Sequence, residues 1–259
     1  MPKATTQTIV MIAALAAPTA PAEPSATVPP IVDIRIDGEN WSCVADGKPL
    51  AGVLVKPAGN GPFPGLLISH GLGGSARGMG LSKGREFARM GFVCIATDYT
   101  HVRPGPSPSE FGASSENVRR ATACIEVLRS MPDVDRRRIA AYGHSMGAFL
   151  TIGLAADRPD LLKAAAITAG GLAPSEGYPA PAPSRAERIR IPFLILHGGA
   201  DTTVPPERSA SLQLILERNK VPCERRVWEG VGHALPNERS DEVLAATRAW
   251  FLKHGVLKP

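Results

Sequence analysis

Short, continuously apolar runs alternate along this chain with longer segments whose apolar residues recur every three or four positions. The runs at 65–69 (GLLIS), 92–97 (FVCIAT), 138–142 (RIAAY), 164–168 (AAAIT) and 191–196 (IPFLIL) have the length and continuity of strands buried on both faces. Residues 31–37 (IVDIRID) alternate as a half-buried strand does, and 51–56 and 224–228 read as further strands. Between them the period changes. Residues 80–90 predict a helix that Gly91 ends. Residues 114–131 predict a longer one, with Ser114 or Ser115 as cap and Val118, Ala121, Ile125 and Leu128 on one face. Helices at 146–156, 207–219 and 240–254 complete the series. Strands alternating with helices of this length predict an α/β domain over 31–259, with a mostly parallel central sheet and helices on both faces.

Two segments break the rhythm. Residues 170–188 carry Pro174, Pro179, Pro181 and Pro183, which forbid a regular helix or an inner strand. Lying between two predicted strands, this stretch is expected to be a lid-like excursion near the sheet's ligand crevice. At the other end, Lys3 precedes the apolar run 9–17, and Ala20-Pro21-Ala22 supplies small residues at a cleavage position. Residues 1–22 therefore read as a secretory signal peptide, followed by a Pro-rich lead-in at 23–30. The expected location is periplasmic or secreted, with cytoplasmic as the alternative. The run is too short to span a bilayer, so no stable membrane anchor is expected.

Composition narrows the partners. Hydrophobic residues make up 44% of the 259-residue chain and charged residues 20%, as in an ordinary folded protein. The net charge of +5 is spread thinly. Its densest clusters, Arg136-Arg137-Arg138 and Arg225-Arg226, read as solvated strand entrances and edges. With aromatics at 5%, no nucleic-acid platform is expected. The four cysteines, Cys43, Cys94, Cys124 and Cys223, form no C-x-x-C pair, so neither a zinc site nor a redox motif is indicated. Their even number permits disulfides without selecting a pairing. Oligomeric state is left open.

The candidate chemistry centres on Gly143-His144-Ser145-Met146-Gly147. A G-x-S-x-G match arises by chance in roughly one chain in ten of this length, so context decides. Here the serine follows a predicted strand and opens a predicted helix, as a nucleophile elbow requires. A serine hydroxyl needs a base. Of His70, His101, His144, His197, His233 and His254, His233 stands in Gly230-Val231-Gly232-His233, just past the last predicted strand. His144 is expected to point away from its neighbour. His197 is expected to pack or orient the following loop, and His254 to be exposed. The base needs a carboxylate that fixes its tautomer, and Asp201 follows the strand at 191–196. The order Ser145, Asp201, His233 is that of an α/β-hydrolase. The residue after the serine, Met146, offers one backbone N–H to an oxyanion. Leu72, in the loop His70-Gly71-Leu72-Gly73-Gly74, offers the other. That loop is not a phosphate cradle, because no G-K-[ST] follows. Tyr99, His101 and Phe149 are candidates for lining the pocket.

From about Ile31 to His254 the chain resembles the α/β-hydrolase superfamily. More narrowly it is similar to its dienelactone hydrolase-like branch. The resemblance is carried by Ser69-His70-Gly71, by Ala141 to Gly147, by Leu196-His197-Gly198-Gly199-Ala200-Asp201 with Val204-Pro205, and by Gly232-His233. Dienelactone hydrolases proper carry cysteine as nucleophile, and Ser145 here points to a carboxylic ester instead. The resemblance implies a serine esterase acting on a small-molecule ester of small or medium acyl chain, with thioesters or lactones as variants and no cofactor or metal. A peptidase related to the prolyl oligopeptidase group is one alternative. A non-catalytic binding protein that kept the fold is the other.

Overall fold

A computed structural model describes residues 30–102, 108–175 and 179–259. The expected signal peptide and nearly all of the lead-in lie outside these residues. Among the described residues nine strands form one sheet, in the order β1-β2-β3-β5-β4-β6-β7-β8-β9. They are β1 (Ile31–Asp37), β2 (Asn40–Ala45), β3 (Lys48–Val55), β4 (Phe63–Ser69), β5 (Val93–Thr97), β6 (Val134–His144), β7 (Ala164–Thr168), β8 (Phe193–Gly198) and β9 (Cys223–Trp228). From β5 through β9 the pairing is parallel, whereas β1, β2, β3 and β5 pair antiparallel.

The helices are α1 (Leu81–Ala88), α2 (Ser115–Ser130), α3 (Met146–Asp157), α4 (Pro183–Ala186), α5 (Pro206–Arg218), α6 (Leu235–Glu238) and α7 (Ser240–Lys253). Successive residues of an inner strand face opposite ways, so each strand feeds two cores. Leu67, Ile95, Ala141, Ile167 and Ile195 pack under α2, α3 and α5. Leu66, Ile68, Ala140, Tyr142, Leu194 and Leu196 pack under α1 and α7 through Phe87, Trp250 and Phe251. This two-sided burial is why the inner strands carry unbroken apolar runs. Ser114 caps α2, its side chain accepting from the Asn117 N–H.

Three expectations are corrected. The strand β2 was not anticipated. Its buried Trp41, Cys43 and Ala45 alternate with more exposed residues, and the Asp46-Gly47 turn joins it to β3 with positive φ at both residues. Asp-Gly is a strong hairpin signal, so this element was legible. Second, β1 is an exposed edge strand rather than a half-buried one: Val32, Ile34 and Ile36 all face solvent. Third, the Pro-rich stretch contains one helical turn, α4, with Pro183 at its start, where a proline costs nothing because the first N–H has no helical partner.

All four cysteines are free thiols, and Cys43, Cys94 and Cys124 are buried. Among the described residues no helix is long and apolar enough to cross a membrane.

Candidate active site

The turn between β6 and α3 holds Ser145 at φ 56 and ψ −118, a conformation that side-chain-bearing residues rarely adopt. Packing enforces it. A Cβ on Gly147 would lie 2.0 Å from the Ser69 carbonyl oxygen, and one on Gly143 would lie 2.2 Å from the Gly147 carbonyl oxygen. Both positions must be glycine for strand and helix to approach this closely. The Ser145 N–H donates to the Thr168 carbonyl at 3.1 Å, tying the turn to β7. Met146 opens α3, so its N–H is among the helix's unpaired amides, at the positive end of the helix dipole.

Asp201 lies just beyond β8 and is buried. Its Oδ1 accepts from the Thr203 and Val204 N–H groups, each at 2.9 Å. Its Oδ2 accepts from His233 Nδ1 at 2.8 Å. The other ring nitrogen, Nε2, is 2.9 Å from Ser145 Oγ. With Nδ1–H committed to the carboxylate, Nε2 is left as acceptor for the serine proton. Two bonds hold the aspartate and histidine loops together: Gly199 N–H to the Trp228 carbonyl at 2.8 Å and Ala200 N–H to the Val231 carbonyl at 2.9 Å. A Cβ on Gly198 would sit 2.4 Å from the Gly232 carbonyl oxygen, which is why that strand ends in glycine. The structure thus brings Ser145, Asp201 and His233 into one hydrogen-bonded line.

A cavity of about 570 Å³ opens over this line. Leu72 and Met146 both border it, as does Phe149. Ala173 and Ala180 of the Pro-rich segment pack with Phe149, Val204 and Met146. The far wall was not anticipated: Met79, just before α1, and Ser82 and Lys83 in its first turn lie across from Pro236 and Asn237 beyond the histidine loop. Lys83 Nζ binds the Glu86 carboxylate at 2.8 Å and the Pro236 carbonyl at 3.1 Å, fastening those two walls together. Among the described residues no group of three or more His, Cys, Asp or Glu side chains is placed to hold a metal ion.

The remaining histidines divide. His197 Nε2 donates to the Val204 carbonyl at 2.8 Å and steadies the aspartate loop, as expected. His144 does not point away. Its ring lies 5.1 Å from that of His233, with Nδ1 3.0 Å from Thr168 Oγ1. Burial, reinforced by the neighbouring His233, pushes its pKa down to about 3, so it stays neutral. Tyr99 and His101 do not line the cavity; both are fully buried. His254 is half-buried rather than exposed, its ring 4.1 Å from that of Trp250.

A mostly parallel sheet flanked on both faces, with a strained serine, a buried carboxylate and an imidazole beyond the carboxyl ends of β6, β8 and β9, defines an α/β-hydrolase. A sequence profile of the dienelactone hydrolase family matches residues 50–258. The chain belongs to that family. It is 29% identical over 227 residues to an uncharacterized protein of Mycobacterium tuberculosis, covering 82% of this chain and 78% of that one. It is 25% identical over 237 residues to YtmA, an uncharacterized peptidase of Bacillus subtilis, covering 80% and 90%. Among solved structures it resembles an esterase of Thermogutta terrifontis, captured with butyrate bound, at a TM-score of 0.66 and 20% identity over 88% of this chain and 96% of that one.

Proposed function

We propose that this protein is a serine hydrolase that cleaves carboxylic esters of small or medium acyl chain through an acyl-enzyme. The observation that carries the reading is the unbroken line from Ser145 Oγ through His233, at 2.9 Å and 2.8 Å, to Asp201. Ser145 Oγ attacks the ester carbonyl as its proton passes to His233 Nε2. Asp201 keeps the ring in the accepting tautomer and stabilises the imidazolium that forms. The Leu72 and Met146 N–H groups receive the oxyanion, each worth roughly 3–4 kcal/mol in the transition state. The tetrahedral intermediate collapses, the C–O bond to the alcohol breaks, and His233 protonates the departing alkoxide. Water then attacks the acyl-enzyme, losing its proton to His233, and the acid leaves as Ser145 is restored. Each proton transferred in the cycle passes through His233.

The cavity supports the acyl-size assignment. Its volume of about 570 Å³ and its walls of Met79, Phe149 and Val204 suit a short hydrocarbon chain. The fold shared with an esterase that holds butyrate is consistent with it. The peptidase name of the Bacillus relative favours one second reading, cleavage of a short peptide or amide by the same residues.

The test is hydrolysis of p-nitrophenyl acetate, butyrate and longer esters, alongside a p-nitroanilide, by wild type and Ser145→Ala. We expect ester turnover to fall at least about 10³-fold in the variant, and a fluorophosphonate to label wild type alone. Equal rates in the two proteins would sink the assignment. Anilide turnover exceeding ester turnover would move it to the peptidase.

A further inference from the structure

Behind the loop His70-Gly71-Leu72-Gly73-Gly74 lies a buried polar cluster that forms no part of the Ser145–His233–Asp201 line. It consists of His70, His101, Asn117, Tyr99 and Ser69. We propose that His101 is a positioning residue that fixes the direction of the Leu72 N–H, and so sets one half of the oxyanion site. The proposal rests on the hydrolase reading above.

The bonding assigns each proton. Asn117 Oδ1 accepts from the Thr100 N–H at 2.9 Å, so its amide nitrogen faces the other way. That nitrogen lies 3.3 Å from His101 Nδ1. Nδ1 is therefore the acceptor, and the proton of His101 sits on Nε2, which donates to the His70 carbonyl at 3.0 Å. The backbone of His101 grips the loop a second time: its carbonyl accepts from the Gly73 N–H at 3.0 Å. His101 thus holds the chain on both flanks of Leu72. Ring contacts keep it from turning. Tyr99 stacks on it at 5.5 Å, and His70 meets it edge-on at 4.9 Å.

What this grip orients is one peptide plane. The Tyr99 N–H donates to His70 Nε2 at 3.2 Å, which leaves the His70 proton on Nδ1. That Nδ1–H donates to the Gly71 carbonyl at 2.8 Å, and the Gly74 N–H donates to the same oxygen at 3.0 Å. In a trans peptide the N–H points opposite to the C=O. With the Gly71 oxygen turned toward His70 and Gly74, the Leu72 N–H faces the other way, and Leu72 borders the cavity. Releasing the His70 carbonyl from His101 frees the residue whose ring holds this plane.

Removing the imidazole breaks its bonds to both Asn117 and the His70 carbonyl, but it leaves only the carbonyl without that partner. Asn117 Nδ2 also donates to Thr100 Oγ1 at 2.9 Å and to the Gly112 carbonyl at 3.1 Å, so it keeps partners when the imidazole is removed. The His70 carbonyl loses the donor that His101 supplies. A misdirected oxyanion donor penalises the transition state and spares ground-state binding.

The test compares His101→Leu, which removes the donor, with His101→Gln, whose amide nitrogen reaches the Nε2 position. Turnover of p-nitrophenyl butyrate and the inhibition constant of a boronic acid, a mimic of the tetrahedral intermediate, are the readouts. We expect the leucine variant to lose about 10- to 100-fold in kcat with KM within about twofold. Boronic acid affinity should fall in parallel, and glutamine should recover turnover to within about fivefold of wild type. If the leucine protein does not fold, His101→Asn carries the same expectation, since its amide reaches toward Asn117 and not toward His70. A folded variant with kcat and boronic acid affinity both within twofold of wild type overturns the proposal, as does a raised KM with kcat unchanged. Ser145→Ala separates the two levels. An active Ser145→Ala removes the hydrolase reading, whereas an inactive one beside a fully active His101→Leu removes the brace alone.

Discussion

Replacing Asp201 by asparagine changes one atom and removes one charge, and the structure dictates which way the new amide must face. Oδ1 accepts two backbone N–H groups, from Thr203 and Val204, each at 2.9 Å. An amide nitrogen placed there would set donor against donor and leave buried N–H groups unsatisfied, at a cost of about 1–3 kcal/mol each. The asparagine oxygen therefore keeps that position, and its NH2 takes the place of Oδ2, 2.8 Å from His233 Nδ1. Nδ1 must then accept, so the ring proton moves to Nε2, where it points at Ser145 Oγ across 2.9 Å. The base has become a donor and cannot take the serine proton.

The same substitution in a serine protease triad costs about 10⁴-fold in kcat through the wrong tautomer. A loss of about 10³ to 10⁴-fold is expected here, equivalent to roughly 4–5.5 kcal/mol of transition-state stabilisation. Asp201 is buried and does not border the cavity, so KM should move little. The assay is steady-state hydrolysis of p-nitrophenyl butyrate by purified Asp201→Asn, with a melting curve to confirm folding. A folded variant within tenfold of wild-type kcat would refute the tautomer argument, and with it the role of the carboxylate.

The remaining predictions concern the elbow and the buried imidazoles. Gly147→Ala should lower kcat/KM by about 10²-fold or more, because its Cβ would meet the Ser69 and His70 carbonyl oxygens at 2.0 and 2.7 Å and a shift of about 1 Å at a reacting group costs that much. Gly232→Ala, with nothing within 4 Å of its Cβ, should stay within about twofold; equal kinetics for the two alanine variants would argue against the packing account. Stability should fall on acidification. Burial lowers the His101 pKa to about 4 from an ordinary value of 6.5. Between those limits the unfolded chain therefore binds a proton that the folded one refuses, and unfolding free energy rises with pH through that window, by up to about 1.4 kcal/mol per pH unit. Denaturant titrations from pH 7 to 4.5 should show a shallower slope for His101→Gln than for wild type, and identical slopes would contradict the burial argument.

What could be read from the sequence, and what could not, divides along a physical line. The strained serine is specified within five residues. A strand, two glycines and a helix leave one geometry in which Gly147 can pass the Ser69 carbonyl, so Ser145 is legible locally. Asp201 and His233 are legible because each follows a strand, and parallel strands deliver their carboxyl ends to one rim. The antiparallel β2 carries a fainter signal: its buried Trp41, Cys43 and Ala45 alternate over six residues before an Asp-Gly turn, against the unbroken apolar runs of the inner strands. His144 defeats the usual alternation because the elbow's own dihedrals redirect the chain after it, so adjacency to Ser145 did not tell where its ring would lie. Tyr99 and His101 follow a strand that ends near the site, and only the packing of α2, through Asn117, shows that they lie beneath the loop rather than in the cavity. The cavity wall is the least legible part. It depends on Lys83 reaching the Pro236 carbonyl across 153 residues, a contact that no short motif encodes. Bond-breaking chemistry is thus carried by turns that few residues can make, while the space offered to substrate is set by distant segments meeting. That is why the class of reaction emerges from the chain more readily than the identity of the acyl group, and why variants along α1 and the Pro236–Asn237 wall should alter chain-length preference without silencing Ser145.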